Sequence, residues 1–421
     1  MSMSHQSYID LSPIRVAVVG GGAAGMMAAI SAANMGAQVT LFERNDRLGK
    51  KLRITGKGRC NVTNDCDRDT FLTNVPTNPR FLYGALAAFT TADTKEFFEQ
   101  LGVPLKTERG NRVFPVSDKA IDIVNAMKRA VQDAGVKVVN ERVRSLCTED
   151  GRVCGLVTNH SYEFERVIVC TGGKSYPLTG SDGDGYRLAK EAGHNVTRLL
   201  PSLVPITCEG SLCRGMQGLS LRNVGLCIKA NASGKVVYRD FGEMMFTHFG
   251  LTGPMILSAS AHLPDIAPDQ YTAYIDLKPA LDEKTLDARL LSDFSKYQNK
   301  DFLNCLGDLL PQKMIETVVA CSGIDPRKKV NSITAAERHA LGALLKAFPV
   351  RLSGFRPIDE AIVTKGGVDV KQINPTNMQS RLVSGLYFAG EVLDVDAYTG
   401  GFNLQIAFST GYLAGQSAAT D

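Results

Sequence analysis

The chain has 421 residues, 44% hydrophobic and 21% charged, which describes an ordinary globular protein of two or three domains and excludes a disordered one. A net charge of +4 is too small to point to nucleic acid by itself. The ten cysteines include no Cys-x-x-Cys pair, so no zinc or thioredoxin-type pattern is present. With no secretory signature, they are expected to be reduced thiols in a cytoplasm.

The first predicted strand, from Val16 to Val19, runs into glycines at Gly20, Gly22 and Gly25 and then an Ala/Met-rich helix ending near Gly36. Gly20 permits a tight turn, Gly22 lets a pyrophosphate approach the backbone, and Gly25 lets the helix pack closely on the strand. A second strand, Val39 to Phe42, ends at Glu43, eighteen residues beyond Gly25, where a carboxylate meets a ribose diol. An ordinary strand–turn–helix is the alternative reading. The uncharged stretches Val16 to Phe42 and Ala397 to Thr420 resemble membrane segments in composition. Glycines interrupt the first and Asn403, Gln405, Ser409 and Thr410 the second, so both are expected to be helices buried inside the protein.

A basic, glycine-bearing stretch follows, with Arg47, Lys50, Lys51, Arg53, Lys57 and Arg59. It reads either as a solvated loop or as a contact for an anionic cofactor or substrate. Thr91 is the predicted cap of a helix carrying Phe97, Phe98 and Leu101, and another helix starts near Ser117. Strands are expected over Val136 to Leu146, Val153 to Val157 and Tyr162 to Cys170, the last two as a hairpin. The third ends in Thr171, Gly172 and Gly173, a second place where backbone can approach a ligand. From Pro201 the pattern changes to alternating strands around the turn Asn231-Ala-Ser-Gly234. Asp282 then opens a helical region to about Phe348, with Pro311 near one helix start and Thr334 and Glu337 as a capping box. The segment from Glu360 returns to strands, glycines and a final helix.

Four motifs carry a family resemblance: the Gly20 fingerprint, Thr55-Gly-Lys-Gly-Arg-Cys-Asn-Val-Thr-Asn64, Phe246-Thr-His-Phe-Gly-Leu-Thr-Gly-Pro254, and Gly385-Leu-Tyr-Phe-Ala-Gly-Glu-Val-Leu-Asp394 with Thr399-Gly-Gly-Phe-Asn-Leu-Gln405. The chain resembles, over nearly its whole length, the BaiN/YhiN-like flavoproteins, which are aminoacetone-oxidase-like or NAD(P)/FAD-dependent oxidoreductases. The resemblance implies an α/β fold with a discontinuous FAD-binding Rossmann-type domain of the glutathione-reductase kind, an inserted β-barrel domain and a small helical domain. The expected limits are 1–200 with 355–421, 201–281 with 349–354, and 282–348. Around FAD it implies Ala24, Arg44, Lys51, Gly56, Arg59, Cys60, Asn61 and Val143. It adds Gly390, Glu391 and Asp394 along the ribityl chain and diphosphate, and Gly401, Phe402 and Asn403 where the last helix begins. The chain departs from the family at Phe402, where a tyrosine is common.

Cys60 and Cys66 invite comparison with disulfide reductases, but five residues separate them where four are usual, and no second Gly-x-Gly-x-x-Gly follows a strand. His248, in an apolar run, is expected to be structural rather than a proton donor. No metal site and no catalytic acid or base is assigned. The implied reaction is NAD(P)H-driven reduction of a conjugated double bond in a small molecule, NAD(P)H binding transiently. Oxidation of a small amine is the alternative. A flavin protein acting on tRNA is a third reading, opposed by the modest charge and the lack of an aromatic stacking motif. No membrane partner is expected.

Overall fold

The computed structural model describes residues 12–420. Residues 1–11 and 421, which the expected domain limits include, lie outside the described residues. The chain divides into two compact units, one containing residues up to Leu200 and from Val363 onward, the other Pro201–Ile362.

The first unit is built on a five-stranded parallel sheet in the order Leu386–Phe388, Arg166–Val169, Arg15–Val19, Gln38–Phe42, Lys137–Val139. Val16, Ala17 and Val18 in its central strand are wholly buried. A strand covered on both faces reads as continuous apolar sequence instead of an alternation, which is why this run is so uniform. The first helix, Ala23–Asn34, crosses from the central strand to its neighbour, and residues 24–32 are all buried. The last helix, Phe402–Thr420, is also buried along most of its length. Helices that are apolar all round belong in an interior. Among the described residues no helix is long and apolar enough to cross a membrane.

These two helices pack backbone against backbone. A Cβ at Gly411 would stand 2.4 Å from the Ala24 carbonyl oxygen, and one at Gly415 would stand 2.3 Å from that of Ala28. Glycines four residues apart share a helix face, so together they make a groove that admits the small residues of the first helix. Gln405 anchors the same helix at its other end. Its Oε1 accepts from Thr63 Oγ1 at 2.6 Å and Thr94 Oγ1 at 2.7 Å, and its Nε2 donates to the carbonyls of Phe89 and Thr90 and to Ser409 Oγ. The amide is fully buried yet fully satisfied, so burying it carries little cost.

Three sequence expectations shift. The run Val136 to Leu146 divides, Lys137–Val139 joining the edge of the parallel sheet and Ser145–Glu149 opening a separate antiparallel sheet. Tyr162 to Cys170 divides too. Ser161–Glu163 forms the hairpin with Arg152–Val157, and Arg166–Val169 enters the parallel sheet, with Glu165 between them held by Arg15 at 2.6 Å. The helix Thr91–Gln100 is capped by Thr90, not Thr91, through a capping box with Asp93.

The second unit holds a closed barrel of six antiparallel strands, Ile206–Cys208, Gly250–Thr252, Val236–Phe246, Ser220–Ala230, Tyr271–Asp276 and Phe348–Phe355. Closure removes the unpaired edges that an open sheet exposes. Leu226 faces Ile275 and Ile228 faces Ala273 inside it. Three main helices, Glu283–Lys296, Gln312–Ser322 and Ala335–Lys346, share one apolar core with the barrel: Leu286, Leu290, Val318, Leu341 and Leu345 cluster with Ile275 and Phe348. The first is capped by Asp282 and the third by the Thr334–Glu337 capping box.

Replacing a helical glycine by alanine ordinarily stabilises by about 0.5–1 kcal/mol. At Gly411 the sign reverses because the methyl overlaps the Ala24 carbonyl. Gly411→Ala is expected to destabilise by about 1–3 kcal/mol in urea unfolding. Gly307→Ala, where a Cβ meets nothing within 4 Å, is expected to stay within about 0.5 kcal/mol of the parent. Equal stability of the Gly411→Ala variant and the parent contradicts the packing described.

Candidate functional site

The glycine fingerprint adopts the turn its spacing implies. Gly20 has φ +104°, a conformation that L side chains rarely adopt, and a Cβ there would lie 2.6 Å from the Cys170 carbonyl oxygen. A Cβ on Gly25 would lie 1.8 Å from the Gly20 oxygen, so the helix and the strand turn touch through backbone. Gly22 is different. It caps the helix with no side-chain hydrogen bond, and a Cβ on it would meet nothing within 4 Å. Open space therefore stands in front of unsatisfied N–H groups at the positive end of a helix dipole, and no acidic residue occupies its first turn.

Glu43 is buried and oriented by its own loop. Its Oε2 accepts from the Gly21 N–H at 2.8 Å, and its Oε1 accepts from the Asn45 backbone N–H and Nδ2, each at 2.7 Å. A carboxylate offers about four lone-pair sites, so one remains for a sugar hydroxyl. Arg44 beside it pairs with Asp182 at 2.6 Å. Val143 is buried on the neighbouring loop, next to Arg142, which pairs with Asp184 at 2.9 Å.

The C-terminal return meets this turn. Gly390 has φ +79°, its N–H donates to Thr410 Oγ1 at 2.9 Å, and a Cβ on it would lie 2.7 Å from the Ala24 Cβ. Glu391 then reaches back across the first unit. Its Oε2 accepts from Lys51 Nζ at 2.7 Å, and its Oε1 accepts from Ser175 Oγ at 3.1 Å and the Thr364 N–H at 2.9 Å. Lys51 also donates to Ser175 Oγ at 2.7 Å. Gly173 lies in the same cluster, where a Cβ would be 2.7 Å from Glu391 Oε1. The lysine, the diglycine after the second central strand and the C-terminal glutamate thus come together although the sequence separates them widely. Gly172 has φ +75° beside Ser181. Burial, then the nearby charges of Asp396 and Asp369, push the Asp394 carboxyl above its ordinary range, favouring the neutral form.

Around the basic stretch the chain takes left-handed conformations at Gly56, Lys57, Gly58 and Cys60. Arg59 is engaged by protein: it pairs with Glu108 and Asp118, each at 2.5 Å, and stacks 4.1 Å from the Phe114 ring. Burial pushes the Cys60 thiol up to about 12 and, with two aspartates nearby, pushes Cys66 up to about 11. Cys60 and Cys66 are both free thiols. Gly401 has φ +101°, and a Cβ there would lie 2.3 Å from the Thr63 oxygen. Phe402 is buried edge-to-face on Phe71, ring centres 5.1 Å apart. The Asn403 side chain exchanges two hydrogen bonds with the Ala397 backbone, so it holds the loop before the last helix. His248, expected to be structural, is exposed in a turn, its ring centre 5.0 Å from that of Phe249.

Two buried polar atoms without partners decide how well a cofactor fits. Thr171 Oγ1 and Asn61 Oδ1 make no hydrogen bond. Each lies in a segment that the sequence assigns to the cofactor, and a buried polar group left unpaired is costly. Together with the open space before Gly22 and the spare site on Glu43, they fit FAD. Sequence reading quoted Gln405 without its anchoring role and missed Gly411, Gly415, Ser175 and Thr364. For Gly411 and Gly415 the four-residue spacing was a visible signal. For Ser175 and Thr364 no local pattern existed.

The profile of the HI0933-like protein Rossmann domain matches residues 14–417. The chain is 30% identical over 411 residues to the 3-dehydro-bile acid delta(4,6)-reductase of Clostridium scindens, covering 96% of this chain and 99% of that protein. It is 29% identical over 401 residues to the ribosomal RNA dihydrouridine synthase of Escherichia coli, covering 95% and 96%. Among solved structures, 3-ketosteroid delta1-dehydrogenase from Sterolibacterium denitrificans superposes with a TM-score of 0.50 at 14% identity, covering 96% and 99%, which is a likeness of fold.

Thr171→Val removes the unpaired hydroxyl and keeps the shape. Stability is expected to hold or rise slightly, while FAD binding weakens by about 0.5–1.5 kcal/mol, a factor of roughly 2 to 12. A fluorescence titration with FAD reads this directly, and unchanged affinity removes Thr171 from the site.

Proposed function

The chain belongs to the family of HI0933-like Rossmann-domain proteins, and from that premise we propose that it is a FAD-dependent oxidoreductase that reduces a conjugated carbon–carbon double bond in a small organic molecule at the expense of NAD(P)H. The observation that carries the reading is the convergence of Gly390 and the last helix on the Gly20–Gly25 turn. A protein that binds only a nicotinamide nucleotide has no need of that second glycine-rich element. When bound, FAD supplies hydride transfer at N5 of its ring system.

The chain's own residues supply position and charge. The N–H groups of residues 22–25 and the spare site on Glu43 hold the diphosphate and the adenosine ribose. Lys51, Ser175 and Glu391 hold one another and so fix two segments that would flank the ribityl chain of a bound FAD. The last helix is 19 residues long with no acidic residue in its first turn. Its N-terminus acts as roughly half a positive charge and favours negative charge in front of it.

The relatives support the reaction more than the substrate. A delta(4,6)-reductase and a dihydrouridine synthase are named for different molecules, yet each name describes two hydrogens added across a carbon–carbon double bond. The second name favours a second reading, in which the substrate is a uridine of ribosomal RNA. Against it, 43 acidic residues nearly balance 47 basic ones, and Arg44, Lys51, Arg59 and Arg142 are each paired with an acid.

Anaerobic mixing of the FAD-loaded protein with NADH or NADPH is expected to bleach the flavin, and a conjugated steroid enone is expected to restore its absorbance. Restoration only by ribosomal RNA lacking dihydrouridine transfers the substrate assignment to the second reading. No bleaching by either nucleotide, with peroxide released from amines in air, overturns the reductase in favour of an oxidase.

A further inference from the structure

We propose that residues 176–182 form a strap that ion pairs latch across the adenosine end of the FAD site, and that FAD enters and leaves when the latch opens. The latch has meaning only with FAD in the first unit, so it rests on the function proposed for the chain.

The strap spans two segments assigned to the cofactor. At one end Ser181 Oγ donates to the Gly173 carbonyl at 3.0 Å, and a Cβ on Gly172 would lie 3.0 Å from the same Oγ. At the other end Asn45 Nδ2 donates both to Glu43 Oε1 at 2.7 Å and to the Thr179 carbonyl at 3.1 Å. One side chain thus ties the strap to the carboxylate assigned to the ribose. A Cβ on Gly180 would stand 2.4 Å from that Nδ2, so the strap backbone rests directly on Asn45.

A ladder of charges fastens the strap to its neighbours. Arg44 pairs with Asp182 at 2.6 Å, and Asp182 also faces Arg142 at 3.8 Å. Arg142 pairs with Asp184 at 2.9 Å, Asp184 with Arg187 at 2.9 Å, and Arg187 with Glu191 at 2.7 Å. The signs alternate, so every ion has opposite neighbours. Arg44 follows Glu43 and Arg142 precedes Val143 in the chain, so the ladder joins the ribose loop, the Val143 loop and the strap.

Little apolar packing reinforces these contacts. No residue of Pro177–Thr179 is buried, and Leu178 at the tip is 91% exposed. Tyr176, Gly180 and Gly183 take left-handed conformations, so the chain turns sharply on both sides of the tip. A segment held by polar contacts at its ends, with almost no burial, opens locally at low cost in free energy. Its central pair is open to salt, since the Arg44 and Asp182 side chains are 27% and 33% exposed.

Release is measured as loss of bound radiolabelled FAD into excess unlabelled FAD, and Kd by fluorescence titration. Asp182→Asn keeps the shape and removes both of that residue's ion pairs. It is expected to speed release about two- to fivefold while Kd stays within about twofold of the parent. The direction is diagnostic. Removing a negative charge near an anionic ligand favours binding and slows release by itself, so faster release reports the latch. Raising sodium chloride from about 0.05 M to about 1 M is expected to speed release from the parent and to change Asp182→Asn much less. Asp308→Asn, which breaks the pair with Lys296 in the second unit, is expected to release FAD at the parent rate. Release from Asp182→Asn that is unchanged or slower, or a Kd that rises as much as the release rate, overturns the latch and leaves the FAD assignment standing. A parent that binds no FAD overturns the proposed function, and the latch with it.

Discussion

The first unit depends on how closely two helices approach. Gly411 and Gly415 bring the backbone of the last helix against the carbonyls of Ala24 and Ala28, a distance that no residue with a Cβ at those positions permits. Interiors packed to this density transmit small displacements instead of absorbing them. The consequence is positional. The N-terminus of the last helix, the turn at Gly390 and the N-terminus of the first helix are held in one fixed relation, though they come from opposite ends of the chain.

Polar contacts complete what the glycines begin. Gln405 uses both ends of its amide to join the last helix to Thr63, Thr94 and the Phe89–Thr90 turn, and Thr410 accepts from the Gly390 N–H. Lys51, Ser175 and Glu391 make a second fastening between the segment after the second strand and the C-terminal return. These groups would be costly to bury singly, but each finds its partners. Among the described residues the unpaired buried atoms include Arg166 Nε and His194 Nδ1 as well as Thr171 Oγ1 and Asn61 Oδ1, and the last two fall in the segments that would receive the cofactor.

What was legible beforehand was what local chemistry dictates. Gly20 needs its positive φ, Gly25 needs to touch the strand, and Thr334 with Glu337 makes a capping box within four residues. The expected α/β architecture with a barrel insert followed from motifs spread along the chain, and the parallel sheet and the closed barrel agree with it. The illegible parts were decided by distant partners. Nothing within Val136 to Leu146 says that its two halves serve different sheets, because either half suits a strand. Arg59 reads as a free cation until Glu108 and Asp118 arrive from another strand and a loop. An apolar neighbourhood predicted a structural His248, but the turn before Gly250 leaves it in solvent.

The central claim is that the two ends of the polypeptide make one site for one flavin nucleotide. Its most direct test is the FAD content of the gently purified protein, followed by reconstitution with FAD and measurement of bound flavin per chain. The account predicts a yellow protein that binds one FAD per chain tightly and non-covalently. A folded, colourless protein that takes up no FAD on reconstitution contradicts it.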